Sequence, residues 1–229
     1  MTQQVRAFAR LALWALPVWA AMLFLGTLTH QPDPQRDFAG FAAYVTTTSF
    51  LLSHLINSIT GAAIGSIGAV GLMLYLQESK AAGRAIAGMA AMIISNTLVS
   101  SIFGVAAFAQ TAMGRMFITG QQNGPSFYPD FYNEVYNGTL FGTALIALLL
   151  FMVGGVLIGN AINASDSFPR WTGWVIAISM IGFVLSTFLL DVGQSIFSVL
   201  LFIATVAVAW NAGKERQIQE AKAAVSLKP

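Results

Sequence analysis

FLLSHLINSITGAAIGSIGAVGLMLYL, residues 50–76, decides the fold class. No charged residue interrupts it, and about 20 apolar residues in helical form cross a hydrocarbon core of about 30 Å. A segment in lipid must satisfy its own backbone hydrogen bonds, which a helix does within itself. Residues 50–76 therefore read as a membrane-crossing helix. Working outward, the charge-free stretches are residues 11–29, 38–77, 85–114, 135–165, 171–190 and 192–213. Five of them hold one crossing each. The stretch 38–77 is too long for one crossing and too short for two with a loop, so it reads as an interfacial lead-in near Phe38–Thr48 before the span. Trimmed at their polar ends, the spans are residues 11–29, 50–76, 85–110, 139–162, 171–190 and 194–211. The expected fold is an all-α, six-helix membrane bundle in one domain, residues 1–213, with a polar tail at 214–229.

Composition agrees. Hydrophobic residues make up 56% of the 229, charged residues 9%, and the mean hydropathy is +0.71. A soluble domain carries roughly 25% charged residues to solvate its surface. The apolar content excludes disorder, and 21 Gly with no Cys excludes a collagen-like or disulfide-stapled chain.

Orientation follows from where the 11 basic residues lie. With the N-terminus inside, the cytoplasmic segments hold Arg6, Arg10, Lys80, Arg84, Arg170, Lys214, Arg216, Lys222 and Lys228. The other side holds only Arg36 and Arg115, and such a bias favours both termini in the cytoplasm. It also accounts for the basic pI without a nucleic-acid partner. Aromatic residues favour the headgroup level, and Trp14, Tyr75, Trp171, Trp174 and Trp210 fall at the cytoplasmic helix ends. Tyr44, Tyr128, Tyr132 and Tyr136 fall on the outer side. Trp19 is the exception, lying deeper. Pro17 removes a backbone donor inside the first helix and is expected to kink it. That helix is too long and lacks the small-x-small site of a cleaved signal peptide, so it is expected to remain as a span. The longest connection, the outer loop 111–138, has Gly120, Gly124, Pro125 and Pro129 as turn markers and an aromatic second half. It reads as an interfacial segment or a docking surface.

Polar groups within a bilayer are expensive and direct attention to function. On the second span, Thr47, His54, Ser58, Gly61, Gly65 and Gly68 recur at helical spacing, with Asn57 beside them. Gly61 and Gly65 form a GxxxG pair suited to close helix approach. The outer half of this stripe is either a packed polar face or a ligand or permeation surface. On the third span Ala85, Gly88, Asn96, Ser100, Gly104, Ala107 and Thr111 form a second stripe, flanked by Ser95 and Ser101. The fourth adds Gly155, Gly159 and Asn160. Spans two to four are therefore expected to form the centre of the bundle. Gly154 and Gly173 are expected to matter less to packing. Asp191 and Gln194 lie at the outer turn between spans five and six, at the depth of His54 and His30.

The candidate ligand or pathway residues are thus His54, Asn57, Ser58, Asn96, Ser100, Asp191 and Gln194. The candidate packing residues are Gly61, Gly65, Gly68, Gly155 and Gly159. No metal site or cofactor is expected; a single haem would have His30 and His54 as axial ligands. All four lysines lie outside the spans, so a retinal-type Schiff base has no candidate. No carboxylate falls at mid-depth, against a proton-coupled exporter. With two His and no HExxH, zinc-protease chemistry is excluded. Gly65-Ser66-Ile67-Gly68 lies mid-helix, with both histidines before it, against a serine protease. Three classes remain: a transporter, channel or permease-like bundle; an accessory or assembly subunit; and a redox subunit. The expected partners are the lipid bilayer of a plasma or inner membrane, with further copies or subunits of a complex, and no nucleic acid.

Overall fold

A computed structural model of the chain describes residues 2–29, 31–120, 133–189 and 192–226, with side chains as far as Lys214. Among the described residues the fold is helical, without strands. Six helices are long and apolar enough to cross a membrane. The first, Gln3–Gly26, is made of α1, Gln3–Leu13, and α2, Ala15–Gly26. The break falls at Trp14, because Pro17 has no N–H to offer the carbonyl of Leu13 four residues earlier. The lead-in is a separate helix α3, Phe38–Val45, capped by the Asp37 carboxylate on Gly40 N–H at 2.8 Å. The spans α4 (Thr48–Leu76), α5 (Ala82–Ile118), α6 (Gly138–Ser165) and α7 (Arg170–Leu189) follow. The last, α8, runs through Gly193–Ser226, so helix continues into the tail.

Helix α5 overruns its expected end at 110 by eight residues. At 1.5 Å per residue it is about 55 Å long, well beyond a hydrocarbon core of about 30 Å. Its extension is held by α3. Gly114 sits where a Cβ would come within 2.7 Å of Val45 Cγ2 and 2.9 Å of the Ala42 carbonyl. Thr111 donates to the Val45 carbonyl at 3.0 Å, and Phe38 meets Phe117 edge-on at 5.2 Å. The lead-in thus packs on protein along this face. The helix ends at Gly120, whose φ of +65° suits a residue without Cβ.

Each span packs on the next in sequence, and α8 returns to α2, closing a ring. Thr27 and Ser195 share a hydroxyl hydrogen bond of 2.7 Å across that closure. One end of the ring gathers basic residues. There Arg6 faces Glu78 at 3.6 Å, and Lys80 and Arg170 flank Asp166 at 2.6 and 3.8 Å. On the outside, the spans expose large apolar side chains: Val18, Ile67, Ile94, Leu149, Ile178 and Ile203. Water would not be faced by such a belt, which is the build of a multi-pass membrane protein.

The buried core takes in residues of spans two to four, as their composition suggested, but draws on the other three spans as well. Trp19, Phe151 and Phe183 come together in it from spans one, four and five. Their rings follow one another at 5.7 and 5.9 Å. Trp19 is buried there, which explains its depth in the sequence.

Candidate functional site

The polar half of α4 departs from α-helical geometry. Ser53–Thr60 is a π-helical segment with wider turns, a feature frequent at functional sites. Local side-chain bonds accompany it: Thr60 donates to the Leu55 carbonyl at 2.9 Å, and Asn57 to Ser53 Oγ at 3.5 Å. The widened turns present Ser53 and His54, then Asn57 and Ser58, to the ring interior.

There they meet a cavity of about 370 Å³ to which all six spans contribute. One wall is polar: His54, Asn57 and Ser58 of α4 with Asn96 of α5. Leu148 and Phe151 of α6 and Phe183 and Val184 of α7 add apolar surface, as do Val99 and Phe103 of α5, and Thr187 of α7 adds a hydroxyl. Met22 and Leu23 of α2 add to the apolar surface. The mouth, at the end away from the basic cluster, carries Thr29, Gln31, Tyr44 and Gln194. The Trp19–Phe151–Phe183 group forms the floor. Trp19 can lie across α4 because residue 65 is glycine; a Cβ there would stand 2.9 Å from the indole. No Asp, Glu, Lys or Arg is among the described lining residues.

His54 is held on three sides. Its Nδ1 lies 3.0 Å from the Phe50 carbonyl, which requires the proton on Nδ1 for the bond to form. Phe50 lies against the ring at 4.1 Å and Phe103 meets it edge-on at 5.5 Å. This leaves Nε2 as the ring's acceptor toward the cavity. Asn96, almost fully buried, donates from Nδ2 to Ser66 Oγ at 3.1 Å. Gln194 donates to Thr187 Oγ1 at 2.8 Å at the rim.

Of the residues singled out from sequence, His54, Asn57, Ser58, Asn96 and Gln194 share this cavity. Ser100 does not. It lines a separate shallow groove on the outside of α4 and α5, with Ala63, Ser66, Thr97 and Ser101. Asp191 and His30 lie outside the described residues, as does most of the aromatic part of the outer loop, and a haem held by His30 and His54 has its second ligand there. Among the described residues no three His, Cys, Asp or Glu side chains converge on one point. Trp19, Tyr44, Phe151, Phe183 and Thr187 were missed. Trp19 alone had a signal, its distance from either helix end.

The glycines lie between helices. On α4, Gly61 faces Met22 at 3.4 Å from its would-be Cβ, Gly65 faces Trp19 and Gly68 faces Leu16 at 2.6 Å. Gly71, not singled out, faces Ala12 at 2.7 Å. Gly155 faces Met180, and Gly159 lies against the backbone carbonyl of Gly173. Gly154 and Gly173 are contact positions too, against Met92 and against Gly159 with Asn163, so their lesser expected weight is corrected. No family model, curated protein or solved structure matches the chain, and function rests on the chemistry of the cavity itself.

Proposed function

We propose that this is a permease-like bundle that binds a small solute in the cavity, with both termini in the cytoplasm and the mouth facing the other side. The observation that carries the reading is one largely apolar cavity with a few polar side chains, His54, Asn57, Ser58 and Asn96 among them, to which all six spans contribute. Pockets between bundle helices with a few convergent polar groups are the usual form of a small-molecule site. The aromatic floor closes the half toward the basic end, so this conformation corresponds to an outward-open, inward-closed state of a carrier rather than an open channel. The basic end is the cytoplasmic one by the distribution of Lys and Arg. The accessory-subunit reading used the glycine faces and the aromatic outer loop for docking; Gly61, Gly65, Gly68, Gly155 and Gly159 face helices of this chain, and residues 121–132 of the loop lie outside the described residues.

The test is a thermal-shift screen of neutral solutes on the purified protein, followed by uptake into proteoliposomes. A solute that stabilises the wild type should lose that effect in His54→Gln and Asn57→Leu while both variants stay folded, and it should be taken up. Stabilisation undiminished in both variants would place binding elsewhere. Binding without flux would refute a carrier. Reporters fused after Lys80 and Ser165 should read cytoplasmic; an external signal from the tail would reverse the assignment of the mouth.

A further inference from the structure

The lining of the cavity specifies a kind of ligand. Hydrogen-bonding side chains gather where His54, Asn57 and Ser58 of α4 and Asn96 of α5 line it, and most of the remaining surface is hydrocarbon. No charged side chain is among the described lining residues, so a charged molecule would be desolvated against them without a counter-ion, at considerable cost. A neutral molecule with one polar edge and an apolar body is matched by such a lining. Molecules of that kind concentrate in bilayers rather than in water.

Between α4 and α5 the cavity comes close to the exterior. The outer groove of Ala63, Ser66, Thr97, Ser100 and Ser101 and the cavity have Ala62 and Asn96 in common as lining residues. What separates them is one side-chain layer, closed by the bond from Asn96 Nδ2 to Ser66 Oγ at 3.1 Å. Three of the groove's hydroxyls donate along their own helices. Ser66 donates to the Ala62 carbonyl at 3.0 Å, Thr97 to Ile93 at 2.8 Å and Ser101 to Thr97 at 3.1 Å. Opening the wall therefore breaks one inter-helix hydrogen bond and leaves the helices intact.

We propose that the ligand is a neutral amphipathic molecule that reaches the cavity sideways from the bilayer, between α4 and α5, with the Asn96–Ser66 pair as the latch. The inference rests on the cavity being the binding site. The chain has no cysteine, so Ser58→Cys places a single thiol on the cavity wall. The full chain in lipid nanodiscs is treated with N-phenylmaleimide, neutral and membrane-partitioning, or with the permanently charged reagent 2-(trimethylammonium)ethyl methanethiosulfonate. Adding Ala63→Phe, which fills the groove from outside, should slow the maleimide by about tenfold, equivalent to ~1.4 kcal/mol of barrier, and leave the charged reagent's rate unchanged. Adding Ser66→Ala instead should accelerate the maleimide selectively. An unchanged maleimide rate in Ala63→Phe, equal slowing of both reagents, or no selective gain in Ser66→Ala overturns the lateral route while the cavity stands. A thiol that reacts with neither reagent in any of these proteins overturns the cavity as a binding site and the route with it.

Discussion

At the scale of single residues, glycine spacing marks where helices approach, but the neighbour decides what each glycine is worth. Gly88 and Gly104 belong to the same stripe of α5. A Cβ at Gly88 would stand 2.9 Å from Ile158, whereas at Gly104 it would meet open space. Gly159 is more constrained still, because the group facing it is the backbone carbonyl of Gly173, which cannot rotate away. Gly159→Ala should therefore lower stability in detergent by about 1–3 kcal/mol through overpacking. Gly104→Ala should be neutral or stabilise by up to about 1 kcal/mol, since alanine is the better helix former. Thermal unfolding of the two variants checks this, and equal effects would mean that α6 and α7 do not touch at Gly159. The polar residues divide in the same way. Asn96 and Ser100 are four apart on one helix, yet only Asn96 lines the central cavity.

At the scale of elements, two features escape a reading of the helical pattern. One is the extension of α5 beyond the expected span, held by α3 through Thr111, Gly114 and Phe117. Gly114→Leu would drive a side chain into Val45 and the Ala42 carbonyl and should release α3 from α5. Hydrogen exchange should then accelerate across residues 38–47, with little change in α6 to α8, because local opening follows local contacts. Uniform acceleration through the bundle would instead make this outer cluster part of the global folding unit. The other feature is the π-helical segment Ser53–Thr60. A pattern read at 3.6 residues per turn puts His54 and Ser58 on one face but does not register a change of period. At the helix starts Thr47, Asp37 and Asn137 each accept from backbone N–H groups, as short polar side chains there do.

At the scale of the whole molecule, the basic end ties three segments together. Asp166 closes α6 in a left-handed conformation, φ 58°, and binds Lys80 from the preceding turn on that side. The hydrogen bond and charge of Lys80, with a smaller contribution from Arg170, hold the Asp166 carboxyl below the ordinary aspartate value. A carboxyl with a lowered folded value contributes stability above its unfolded value and loses it as pH falls through the folded one. Asp166→Asn keeps the left-handed cap and removes the charge. It should lower the melting temperature slightly at neutral pH, as expected of an exposed pair, and the difference should vanish in strongly acidic buffer. A difference that persists at every pH would assign the effect to the cap rather than to the ion pairs.

The sequence by itself determined that there are six long apolar helices, roughly where each lies, and that polar side chains gather on α4 and α5. These are local properties: a charge-free run of sufficient length must be helical in lipid, and the charges between runs stand at its ends. Tertiary structure alone decided that the helices close into a ring and that Trp19, Phe151 and Phe183 meet inside it. It also decided that His54, Asn57, Ser58, Asn96 and Gln194 enclose one space while Ser100 faces out. A helical period says which residues share a face. Which neighbour that face meets depends on how all six helices satisfy their packing at once, and that is not written in any one of them.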